Sequence, residues 1–241
     1  MEEIRKRLLE CSGKIRPQEL FPTIEPEAAN LIADNPFGFL LAVSLNRGTK
    51  AEIIWTIPFW VKEALGHLDP CLISAMSVEQ IRQVVNGLPR KLRYRKDAPR
   101  TIHEIAQLVC QTFQGDAQAL WRDKSAAEVK RIILGVHGIG EGIASMALIL
   151  LERTRGVRFP DWSIMNVKPD VHVQRVLYRL GVSKAMEEKD ATDAAQQLNP
   201  DYPGAVDPPL WIIGRRWCRP SAPDCPSCWM NDLCSKVGVI A

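Results

Sequence analysis

The chain has 241 residues, enough to bury a substantial core as one domain or two small lobes, and its net charge of +3 permits nucleic-acid binding without demanding it. Hydrophobic residues make up 46% of it, yet no uninterrupted apolar run approaches the roughly 20 residues that span a bilayer. The N-terminus lacks the apolar core of a secretory signal, and seven cysteines, an odd number, argue against a disulfide framework, so the expected setting is the cytoplasm.

Helical periodicity runs through nearly the whole chain and no convincing alternating strand pattern interrupts it, so an all-α fold is expected. Met1 to Cys11 reads as a first helix, and the Pro- and Asn-rich stretch from Phe21 to Pro36 reads as a linker to the main body. Trp55 and Phe59, four apart, would share a helix face, although Pro58 between them argues against a regular helix. Ser77 with Gln80 and Ser125 with Glu128 form capping boxes, each marking a helix start. Between those boxes Arg90, Lys91, Arg93, Arg95, Lys96 and Arg100 surround Tyr94, which is either a solvated loop or a phosphate-facing patch. Ile102, Ile105, Leu108, Val109 and Phe113 then mark one face of a further helix.

The run from Ile132 to Ala144 reads as helix, Gly-Ile-Gly turn, helix. Gly138 and Gly140 allow a tight turn that bares backbone N–H groups, and Ile139 between them can plug the space between the helices. N–H groups at the start of the second helix suit a phosphate oxygen, and such a contact positions a duplex without reading its sequence. Thirty residues after Gly140, Asp170 opens a helix in the run Lys168-Pro169-Asp170-Val171-His172-Val173-Gln174-Arg175-Val176, which closes at Gly181. A carboxylate there commonly caps the helix; aimed into a cleft, it could also stabilise positive charge on a sugar and orient a water toward it. Pro208 to Trp217 reads as a last helix. After it Cys218, Cys225, Cys228 and Cys234 stand as C-x6-C-x2-C-x5-C, a ligand set for an iron–sulfur cube or a tetrahedral zinc. Zinc sites usually pair two C-x2-C knuckles and this run has one, so the spacing favours the cube. Cys11, Cys71 and Cys110 have no neighbouring ligand and read as isolated buried thiols. These boundaries divide the chain into a helical core over 34–152, its hairpin spanning 132–153, and a second helical lobe made of 1–33 with 153–241.

The Gly-Ile-Gly hairpin, Asp170 in its D-x-H-V-x-R-V context and the four-cysteine loop over 218–234 together resemble the endonuclease III group of the helix-hairpin-helix DNA glycosylases. The resemblance implies two helical lobes with a DNA-binding cleft between them, a six-helix core and a largely structural [4Fe–4S] cluster on the four cysteines. It further implies a monomeric enzyme that binds duplex DNA, rotates a damaged or mismatched base out of the stack and cuts its bond to the sugar. In prokaryotes such an enzyme would be nucleoid-associated. By the same resemblance Asp170 is the catalytic residue, and His137, Gly138, Ile139, Gly140 and Gly142 contact DNA. Asn46 and Arg47 would fill the gap left by the flipped base. Trp55, Trp162, Asn166 and Lys168 are candidates for the base pocket.

Members that also nick the strand carry a lysine just after the second hairpin glycine, which forms a Schiff base with the sugar; here that position is Gly142, which has no amine. A monofunctional, hydrolytic glycosylase is therefore expected. Two alternatives stand beside it: a glycosylase and abasic-site lyase using another lysine, such as Lys168, and a non-catalytic DNA-binding or sensing module that keeps the scaffold and cluster.

Overall fold

A computed structural model describes residues 1–239, and among them every regular element is helical. The chain forms two compact units, residues 17–159 and residues 1–16 with 160 onward. Helix α1 (Glu2–Gly13) opens the chain in the second of these and turns Leu8 and Cys11 into its core. No helix among the described residues is long and apolar enough to cross a membrane.

The stretch expected to be a linker contains a helix, α2 (Pro26–Asp34). Proline is what misleads there: Pro26 occupies the first turn, where its missing N–H is not needed and its fixed φ suits the helix. Asn35 then caps α3 (Pro36–Ser44), its side chain accepting the Gly38 N–H at 2.8 Å. Every residue of α3 from Phe37 to Ser44 is buried, so α3 forms the centre of this unit. Helix α4 (Ala51–Leu65) runs straight through Pro58, contrary to the expectation of a break. Ile54, Trp55, Ile57 and Val61 are buried around that proline. Their burial is worth about 1.5–3 kcal/mol per large side chain, which together exceeds the roughly 3 kcal/mol that an interior proline costs.

The short α5 (Pro70–Ser74) and α6 (Val78–Gly87) follow, and Ser77 and Gln80 complete the anticipated capping box of α6. Helix α7 (Ala98–Gln107) continues into a π turn over Leu108–Thr112. Cys71 on α5 and Cys110 in that π turn are not isolated thiols; they form a disulfide. A bridge between cysteines 39 residues apart removes loop entropy from the unfolded chain worth about 4 kcal/mol. The double variant Cys71→Ser/Cys110→Ser should therefore melt well below the oxidised protein in calorimetry, and adding reductant to the wild type should close the gap.

Helices α8 (Ala126–Leu134), with its Ser125–Glu128 capping box, and α9 (Glu141–Arg155) form the hairpin. In the other unit α10 (Val171–Arg179), α11 (Glu188–Leu198) and α12 (Asp207–Arg216) pack with α1 around Leu8, Val176, Leu177, Leu210 and Ile213. Arg7 on α1 meets Asp232 at 3.1 Å, joining the start of the chain to the cysteine loop.

Candidate active site and cysteine loop

The turn between α8 and α9 uses its two glycines differently. Gly138 has φ +84°, and a Cβ there would lie 2.7–2.8 Å from the Arg47 guanidinium. Gly140 is extended, φ −104°, and a Cβ there would meet nothing within 4 Å. Only Gly138 is required by the turn; Gly140 keeps open the approach to the first turn of α9, which no side chain caps. Ile139 between the two glycines is buried, as a plug must be. Gly138→Ala should cost at least about 1–2 kcal/mol from the left-handed backbone alone. Gly140→Ala should stay within about 1 kcal/mol of wild type. Thermal melts of the pair check this contrast.

The hairpin is fastened to its neighbours through its backbone. His137 donates its N–H to Glu104 Oε2 at 2.6 Å, and its carbonyl accepts the Thr101 hydroxyl at 2.8 Å. Burial works to raise the pKa of Glu104, but Arg100 and the His137 N–H outweigh it and the carboxyl lies below its ordinary value. Arg47, just beyond α3, donates to the Gly138 carbonyl at 3.2 Å, lies 4.9 Å over the Tyr94 ring and approaches Asp97 at 3.8 Å. Asn46 lies beside it at the end of α3. Residues 90, 91, 93–96 and 100, all but Tyr94 cationic, are exposed, so the basic loop adjoins the hairpin turn through Arg47 and Asp97. Trp55 is only 1% exposed and packs 5.9 Å from Phe21 and 6.1 Å from Phe39, which places it in the core of the unit rather than on its surface.

In the other unit Asp170 is the N-cap of α10, and its Oδ1 accepts the His172 and Val173 N–H groups at 2.8 and 3.1 Å. The segment leading to it is tied down residue by residue. Met165 O accepts the Gly204 N–H, the Asn166 side chain accepts its neighbour's N–H and donates to Thr192 O, and Gln174 Nε2 donates to Pro169 O. Trp162, in a 3₁₀ turn ahead of this segment, stacks edge-on against Tyr202 at 4.8 Å. Lys168 is partly buried, and burial lowers its pKa against the opposing pull of Asp170 and Asp207. Thus Trp162, Asn166, Lys168 and Asp170 fall on one stretch of chain, with Tyr202 and Asp207 beside it. Sequence reasoning missed Tyr202 and Asp207, because the chain that brings them there is more than 30 residues away from Asp170.

The four loop cysteines carry no disulfide and pack against the α10–α12 core through Cys218, Cys228 and Cys234. Burial, then the nearby Cys218, Cys234 and Cys225, push the Cys228 thiol up to about 11, so the four sulfurs share one neighbourhood. Among the described residues no three His, Cys, Asp or Glu side chains are gathered as tightly as a single metal ion requires. Donors reach two of the sulfurs: Arg179 Nη1 lies 3.5 Å from Cys218 Sγ and the Lys236 N–H 3.4 Å from Cys234 Sγ. Two buried arginines of α10 hold the loop's first strand of chain. Arg175 donates to the Cys218 and Gly214 carbonyls at 2.6 and 2.9 Å, and Arg179 to those of Arg219 and Pro220 at 2.6 and 2.9 Å. Such donors suit the negative charge of clustered thiolates.

This architecture, a Gly-Ile-Gly hairpin in one unit and a capped aspartate with a four-cysteine loop in the other, has the fold of the helix-hairpin-helix DNA glycosylases. Within that fold the chain resembles the endonuclease III-like group. The sequence is similar to endonuclease III of Thermotoga maritima, 27% identical over 142 residues, or 58% of this chain. That match spans 57% of the relative's own length. No family model matches. Among solved structures, a trapped covalent endonuclease III–DNA intermediate superposes with a TM-score of 0.62 at 20% identity over 87% of this chain and 92% of that one. A non-covalent endonuclease III–DNA complex gives 0.59 at 19% identity over 87% and 91%. A thermostable thymine-DNA glycosylase gives 0.62 at 16% identity over 97% and 94%.

Proposed function

We propose that this chain is a monomeric DNA repair glycosylase that flips a damaged or mismatched base out of duplex DNA and hydrolyses its N-glycosidic bond. The observation that carries the reading is Asp170, a carboxylate fixed at the start of α10 by two N–H bonds on one oxygen. As the bond from sugar carbon to base nitrogen breaks, the electron pair leaves with the base and positive charge builds on the sugar. A fixed carboxylate stabilises that charge and orients a water, whose oxygen bonds to the sugar carbon and whose proton ends on the departing base. The products are a free base and an abasic site.

DNA contacts are assigned to the hairpin, through His137, Gly138, Ile139, Gly140 and Gly142, with Asn46 and Arg47 next to it. Support comes from the uncapped first turn of α9, the open approach at Gly140 and the exposed cations of the adjoining loop. Trp162, Asn166 and Lys168 are assigned to the base pocket. Cys218, Cys225, Cys228 and Cys234 are assigned as ligands of a [4Fe–4S] cluster, which when bound crosslinks the loop onto the α10–α12 core. Four free thiols, with a guanidinium donor at Cys218 Sγ and a backbone donor at Cys234 Sγ, fit that group.

Gly142 supplies no amine, so excision is assigned to hydrolysis rather than to a Schiff base. Borohydride added during turnover tests this directly: the wild type should release base and form no covalent protein–DNA adduct. A trapped adduct that disappears in Lys168→Met would instead establish the lyase alternative.

A further inference from the structure

One buried carboxylate has no part in the mechanism above. Asp207, 9% exposed, stands in the first turn of α12, where an acid would ordinarily cap the helix. Capping is not what it does here. Pro208 and Pro209 follow it, so the positions a cap would serve have no N–H to offer, and α12 carries no side-chain cap. The Asp207 Oδ2 instead accepts the Lys168 N–H at 2.7 Å, 39 residues back in the chain. The Lys168 carbonyl in turn accepts the Asp170 N–H at 2.7 Å, closing a tight turn over 168–170. One buried acid therefore anchors the turn from which Asp170 projects.

We propose that Asp207 is a positioning residue for base excision, holding the 168–170 turn so that the Asp170 carboxylate is presented in one fixed direction beside Lys168. The proposal rests on the glycosylase reading and assigns a residue to its reaction. The charges around Asp207 support it. Burial, then the charge of Asp170, raise its pKa to about 7, against the opposing Lys168 N–H and Lys168 charge. The neighbouring 3₁₀ turn, Pro203–Val206, carries no ionisable group, and the buried residues α1 brings to this core include one, Cys11. On α10, burial lowers the His172 pKa while Asp170 opposes it, and Arg175 lies 3.1 Å from the His172 ring. Asp207 is thus neutral below about 7 and ionised above it, where its charge adds to that of Asp170 and favours a cationic sugar.

The test uses Asp207→Ala, which removes the acceptor, and Asp207→Asn, whose amide oxygen can still accept the Lys168 N–H but cannot ionise. Single-turnover base release by D207A should fall about 100-fold, the scale of a misplaced reacting group, with DNA affinity within about twofold of wild type. D207N should recover most of that rate and lose the rise in rate that the wild type shows as pH passes through about 7. Independently of activity, the Lys168 amide signal in a ¹⁵N spectrum should titrate with a midpoint near 7 in wild type and not in D207N. An unaltered rate in D207A, or a pH profile and amide titration that D207N leaves unchanged, would overturn the assignment. If D207A does not fold, the D207N profile and amide titration decide alone. A wild type that releases no base while its Lys168 amide titrates as expected would overturn the glycosylase reading and the positioning role, but leave the Asp207–Lys168 link standing.

Discussion

Asp170→Asn is expected to reduce single-turnover base release by about 10²–10⁴-fold, the range in which a general base or a fixed charge acts, while the protein melts within about 1 kcal/mol of wild type. The two halves of this expectation separate because asparagine is as good an N-cap as aspartate. Its side-chain oxygen can keep the His172 and Val173 N–H bonds, so α10 stays in place and only the charge is lost. Asp170→Ala removes cap and charge together and should add about 1 kcal/mol of instability. An asparagine variant with wild-type release would remove Asp170 from the chemistry and leave it the cap alone.

The second large effect is on stability. Cys225→Ser or Cys228→Ser should give a protein poor in iron and sulfide whose α10–α12 unit unfolds, whereas the wild type should be brown as purified. Under the cluster assignment, four ligands on one loop would hold chain that has little regular structure of its own: from Arg219 onward no helix occurs among the described residues. A structural metal site contributes roughly 10 kcal/mol, against a total stability of about 5–15 kcal/mol for a domain, so losing it outweighs the packing that remains. Metal analysis of the purified chain checks the assignment first. Stoichiometric zinc in a colourless protein would contradict it.

Much of the helical plan can be read from local sequence, because its signals lie within one or two turns. The two capping boxes and the cap at Asp170 stand where the sequence puts them, and Ile139 is buried. The linker expectation fails because proline is a local signal with two meanings: it both breaks helices and starts them, and Pro26 stands in the first turn of α2. Pro58 misleads for a related reason: its cost is local, while the burial that offsets it comes from the rest of the unit. What stayed hidden is held by partners distant in sequence. The Cys71–Cys110 bridge joins residues 39 apart with no marker beside either, Arg47 reaches Gly138 across 91 positions, and Asp207 in its Asp-Pro-Pro setting looks like a helix start rather than the anchor of Lys168.

The central expectation is that the chain removes a base by hydrolysis. The direct measurement is a panel of duplexes, each with a single deaminated, mismatched or alkylated base, scored for free base and for strand breakage before and after hot alkali. The expected result is release of free base from at least one duplex, with the strand intact until alkali cleaves the abasic site. No release from any duplex despite tight binding would contradict it and leave a DNA-binding module in place of the enzyme.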